Sequence, residues 1–139
     1  TLIKAPKPPF IIFEDDCIFT EEFKEEIHVP EHTDAIFLGI SKWGVDKVSK
    51  LNCIKVSEFD NDYYRIYNML SAHAILYVSP EFVKRAIHDT FTCVCNGLKF
   101  DVAYALFMKE FNVLTPKSLF SYQDGDRDTT QFNLEKYLN

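Results

Sequence analysis

The sequence predicts an α/β layer structure, and three observations carry that reading. Short continuous apolar runs, bounded by Pro, Gly or acidic residues, recur along the chain as buried strands do. Between them lie stretches with helix-start chemistry and an apolar stripe. Third, 139 residues, 47% hydrophobic and 15% aromatic, are enough for one real core. Alternating strands and helices then imply a sheet covered by helices.

The elements follow in order. Lys4-Ala5-Pro6-Lys7-Pro8-Pro9 is a stiff, non-helical lead-in. Phe10–Phe13 (FIIF) reads as a buried strand that stops at Glu14-Asp15-Asp16. Thr20 is placed to cap a helix whose first turn holds Glu21 and Glu22, with its end near His28-Val29-Pro30. Asp34–Ile40 (DAIFLGI) is a second buried strand, closed by Ser41-Lys42-Trp43-Gly44. Ile54–Val56 suggests a strand, and Tyr63, Tyr64 and Tyr67 an aromatic cluster. Ala74–Val78 is a further strand. Ser79-Pro80-Glu81 starts a helix, with Phe82, Val83, Ala86 and Ile87 as its apolar stripe. Asp101 opens the next helix; Asn112–Leu114 and Ser118–Gln123 read as short strands. The runs near 10–13, 34–40 and 74–78 are expected to be adjacent in a mixed sheet and buried on both faces.

Composition excludes several classes. The chain is too apolar to be disordered, and its longest apolar run, Val102–Met108, is far short of the roughly 20 residues of a membrane helix. A net charge of −6, with basic residues spread singly, gives no basic face for nucleic acid. Cys17, Cys53, Cys93 and Cys95 fit no zinc spacing; Cys93 and Cys95 alternate about Val94 as on one face of a strand. Reduced, half-buried thiols in a reducing, cytoplasmic setting are the expectation.

The sharpest feature is FIIFEDDCIF, residues 10–19. A strand delivers acids at its C-terminal end, the edge where open α/β sheets bind ligands. Alternation puts Glu14 and Asp16 on one face and Asp15 on the other. Two neighbouring carboxylates repel unless solvent or a cation compensates. A hard divalent ion, Mn or Mg, takes carboxylate oxygens and keeps positions for phosphate oxygens. An acidic protein can hold a nucleoside diphosphate in this way. The plainer alternative is a solvated acidic turn.

The series apolar strand–EDD, then DAIFLGI, then AHAILYVSPEFVKRAI, then Asp101 before a helix, then LFSYQ, resembles glycosyltransferases of the GT-A fold. It looks most like the branch of the lipopolysaccharide and procollagen galactosyltransferases (family 25) and related transferases of large DNA viruses. The order covers residues 10–123. The resemblance implies a GT-A-like mixed sheet, a UDP- or GDP-sugar donor and a glycan or other hydroxyl acceptor. It makes Asp16 the first metal ligand, with Glu14 acting through water or the nucleotide ribose. Asp15 supports the site or points toward the core edge. His73 is either a phosphate or sugar contact or a satisfied core histidine. Gln123 resembles a residue near the donor. Asp101 is either a helix N-cap, the acid that takes the acceptor's proton, or both.

Two departures stand out. Family members place a nucleotide-binding half before the EDD strand, whereas nine residues precede it here. Either the chain is the C-terminal part of such a domain or the nucleotide pocket is built differently. The strand motif reads Ser71-Ala72-His73-Ala74 rather than Gly-Thr-His. Trp43 reads equally as a sugar-stacking or a core indole. Asp124–Asp128 lacks the spaced glutamate of a calcium loop and reads as a solvated turn. The other function classes are another metal-dependent enzyme acting on phosphate esters, and an inactive or partial transferase domain that only binds.

Overall fold

The structure, a computed structural model, describes residues 7–40, 55–124 and 134–138. Its strands are β1 Phe10–Phe13, β2 Cys17–Phe19, β3 Ala35–Phe37, β4 Val56–Glu58, β5 Tyr63–Ile66, β6 Ala74–Tyr77, β7 Val113–Pro116 and β8 Ser121–Gln123. The helices are α1 Pro80–Cys95 and α2 Phe100–Phe107, the latter running into a 3-10 turn at Met108–Glu110. The expected Trp43 and most of the Asp124–Asp128 turn lie outside the described residues.

Six strands form one sheet in the order β1-β6-β3-β7-β5-β4, and β2 pairs with β8 in a separate ribbon. The sheet is mixed: β3 and β7 run parallel, while the other neighbours are antiparallel. The three apolar runs do sit side by side, with β6 between β1 and β3. Strand alternation divides their side chains between two cores. Ala35, Phe37, Ile75, Tyr77 and Val113 pack with Phe82, Ala86, Ala103 and Phe107 of the helices. Ile36, Leu38, Ala74, Leu76 and Leu114 pack on the opposite face with Phe120, Phe23 and Ile27. The helices therefore cover one face. The ribbon and the segment after β2 cover the other.

α1 begins as its sequence dictates. The Ser79 hydroxyl accepts the Phe82 N–H at 3.2 Å, and Pro80 needs no donor in the first turn. Phe82 is fully buried among Tyr77, Tyr104, Phe107 and Phe111. Beneath the helices the Tyr77 and Tyr104 hydroxyls bond each other at 2.7 Å, which satisfies both polar tips. Arg85 ties α1 to the 3-10 turn through Glu110 at 2.8 Å.

Several expectations are corrected. β1 is a strand but not a buried one: Ile11, Ile12 and Phe13 are 38%, 48% and 42% exposed. It is the sheet's edge, so an apolar run there has a neighbour on one side only. Residues 20–30 form turns and bends rather than a helix. The Thr20 hydroxyl does accept the Glu22 N–H, yet it also donates to the Leu119 carbonyl at 2.7 Å. Phe23 is drawn against Phe19 and Phe120, and that tertiary packing overrides the local start signal. Tyr63 and Tyr64 belong to a strand between β7 and β4. Cys93 and Cys95 lie in α1, where a spacing of two puts them on different sides; Cys93 is buried and Cys95 exposed. Ile87 is 56% exposed and so leaves the α1 stripe. Cys17, Cys93 and Cys95 are free thiols. Among the described residues no helix is long and apolar enough to cross a membrane.

Candidate functional site

The acids leave β1 through a tight turn, in which the Cys17 N–H donates to the Glu14 carbonyl at 3.1 Å. Glu14 is anchored from the sheet side, its N–H bonding the His73 carbonyl at 2.8 Å. On the ribbon side the Asp124 N–H bonds the Asp16 carbonyl at 2.8 Å. The turn thus continues β1 by one residue and then folds back into β2. Strict alternation does not describe it, but the outcome for the side chains is the one expected.

That outcome depends on the ribbon. β2 and β8 pair so that Cys17 faces Gln123. The Gln123 amide then donates to Glu14 at 3.3 Å and to Asp16 at 3.1 Å, one N–H₂ group bridging two carboxylates. The second Asp16 oxygen is buried with no hydrogen-bond partner among the described residues. Asp15 sits exposed on the turn.

Asp101 comes to the same place from the helix layer. α2 starts at Phe100 with Lys99 as its N-cap, and the Lys99 side chain makes no capping bond. Asp101 is therefore the second helical residue rather than the cap. Its carboxylate lies close enough to the Val102 N–H for that dipole to favour its charge, while the N–H itself bonds the Lys99 carbonyl at 3.2 Å. One of its oxygens is buried without a partner.

Glu14, Gln123, Lys99 and Asp101 line one cavity of about 550 Å³. Ala72, Val94, Leu98 and Phe100 supply its apolar wall. A smaller cavity, about 260 Å³, lies by Lys24, Asp62 and Lys117 and contains none of the sequence-predicted residues.

The electrostatics report crowding. Burial, then the charges of Asp16, Asp101 and Asp15, push the Glu14 carboxyl above its ordinary value. Burial pushes Asp101 up as well, against the pull of the Val102 N–H and Lys99. Between its ordinary value of 4.5 and the higher folded value, Glu14 holds more proton in the folded state. The protein therefore loses stability as pH rises through that window. Glu14→Gln keeps an acceptor for Gln123 and removes the charge. It is expected to be more stable than the wild type at pH 7 in metal-free buffer, the gap closing toward pH 4.5. Urea unfolding at both pH values checks this; a less stable Glu14→Gln at pH 7 contradicts the crowding.

His73 has no exposed surface. Its ring lies against Gly39 and Ser121, so it contributes to the site through its carbonyl on Glu14 and not through its side chain at the cavity wall. A divalent cation fits the residues present in one respect: two carboxylates are held together, one with an unsatisfied oxygen. Among the described residues no group of three or more His, Cys, Asp or Glu closes into a metal cage. A bound ion would take its remaining positions from water and ligand. Lys99 and the Leu98–Phe100 wall were not picked out in the sequence. The available signal was their position immediately before Asp101.

Scanned against protein-family models, curated proteins and solved structures, the chain matches none.

Proposed function

We propose that this chain is a metal-dependent glycosyltransferase of GT-A type, or the C-terminal part of its catalytic domain. It would move a sugar from a UDP- or GDP-sugar to a hydroxyl of a glycan acceptor, in the cytoplasm. One observation carries the reading: Gln123 clamps Glu14 and Asp16 together at the cavity that Asp101 also lines. Holding like charges side by side costs free energy, and an ion with a diphosphate would recover it.

When bound, Mn or Mg would neutralise the diphosphate leaving group. Asp16, with its unsatisfied oxygen, is the principal ligand, and Glu14 the second. Gln123 orients both. Leu98 and Phe100 would give the acceptor an apolar wall to pack against. Asp101 takes the acceptor proton at a carboxylate oxygen.

Titration of UDP- and GDP-sugars in Mn and in excess chelator tests the reading. Binding is expected in Mn only. Asp16→Asn should weaken the metal-dependent binding by at least about tenfold, since loss of a mere supporting partner already costs roughly 10–100-fold. Equal binding in chelator would remove the metal from the proposal.

A further inference from the structure

Lys99 sits between α1 and α2 with an extended backbone, φ −68° and ψ 146°. It is the one basic residue lining the acidic cavity among the described residues. Arg85 on α1 is paired with Asp89 and Glu110, and Lys117 beside β7 with Glu58. Among the described residues Lys99 has no carboxylate within ion-pair distance, although it lies close enough to Asp101 to bias its charge. The positive end of α2 opens at the same point.

The charges decide what such a group is for. Glu14 and Asp101 line the cavity, and Asp16 stands beside Glu14 across the Gln123 amide; these three carboxylates outweigh one ammonium and repel an anion. A divalent ion brings the sum close to zero. A nucleoside diphosphate entering next carries negative charge to a site whose remaining positive group is Lys99.

We propose that Lys99 is the diphosphate-facing residue of the site, positioning the donor's phosphates and taking up the charge of the departing diphosphate. This rests on the glycosyltransferase reading. In the transfer step the bond between the anomeric carbon and the β-phosphate oxygen breaks, and its electron pair leaves with that oxygen. The acceptor oxygen bonds the same carbon and releases its proton to Asp101. Negative charge thus grows on the diphosphate, where Lys99 faces it. The role needs charge at the end of a flexible stem, and the residue is exposed, so substitution leaves the core untouched.

The test is calorimetric titration of the full chain with Mn alone, then with UDP, GDP, uridine and guanosine in saturating Mn. Lys99→Met and Lys99→Arg are compared with the wild type. Lys99→Met should weaken whichever diphosphate the wild type binds by roughly 10–100-fold, the worth of a hydrogen bond to a charged group. Lys99→Arg should restore most of that affinity; nucleoside binding should stay unchanged, and Mn binding should not weaken. If Lys99→Met binds Mn–UDP and Mn–GDP as the wild type does, the role of Lys99 falls and the site reading stands. Weakened Mn binding in both variants overturns the proposal too, because Lys99 would then only hold the site together. If the wild type binds neither diphosphate in Mn, both readings fall.

Discussion

On the glycosyltransferase reading proposed above, Asp101→Asn should cost roughly 10²–10⁴-fold in transfer rate, the usual worth of a positioned general base. Its stability should change by less than about 1 kcal/mol, because Asn keeps the size of the side chain and an oxygen in the first turn of α2. Donor binding should hardly move, since the diphosphate is assigned to Glu14, Asp16 and Lys99. The carboxyl of Asp101 is raised by burial, which brings it nearer the working pH of a base. Rate should therefore climb with pH through that raised value, and the climb should vanish in Asp101→Asn. Single-turnover transfer across pH, with denaturation of the same variant, separates the roles. An unchanged rate with lost stability would leave Asp101 a helix-start acid only.

The parts of the molecule legible in the sequence are those whose causes are local. Ser79-Pro80 announces α1 because the cap and the missing donor act within one turn. DAIFLGI and AILY announce central strands because both of their faces are apolar. FIIF has the same composition, yet strand position in the sheet is not written in composition, and β1 falls at the edge. The 20–30 segment carries helix-start chemistry that lost to Phe23, whose partner Phe120 is far along the chain. Tyr63–Ile66 lacked a clean alternation, and its strand exists by pairing with β7 on one side and β4 on the other.

The same division runs through the site. The acid triplet was readable because a strand end and its charges are neighbours in sequence. That Gln123 bridges Glu14 and Asp16 across more than a hundred residues rests on the β2–β8 register, which no local pattern reveals. Only the resemblance pointed to Gln123 and to a chemical role for Asp101. For His73 it indicated a place near the site, and the sheet then turned the ring inward and left the carbonyl on Glu14.

Gly39→Ala should be strongly destabilising for a change of one methyl group. Gly39 follows β3, where the chain passes directly over β8. A β-carbon there would overlap the Ser121 carbonyl oxygen and stand 2.5 Å from the His73 Nε2 and 2.6 Å from the Ser121 hydroxyl. The carbonyl belongs to the backbone and cannot swing aside like a side-chain tip. His73 and Ser121 are fully buried, so neither has room to yield. The Leu38 carbonyl also accepts the Phe120 N–H at 2.8 Å, which pins the two segments at this distance. Overpacking of this kind costs about 1–3 kcal/mol, and more where backbone must shift. Gly97 supplies the contrast: at φ +74° a β-carbon there meets open space, so Gly97→Ala pays backbone strain alone, about 1–2 kcal/mol. Relief at Gly39 means moving β8 outward, and β8 carries Gln123. On the proposed reading, Gly39→Ala should therefore lose metal-dependent donor binding in proportion to how far the ribbon shifts, while Gly97→Ala should keep it. Denaturant midpoints and Mn titrations on the two variants check both halves. A Gly39→Ala protein within about 0.5 kcal/mol of wild type would mean that β3 and β8 do not approach this closely. The bridge from Gln123 to the two acids would lose its support with that contact.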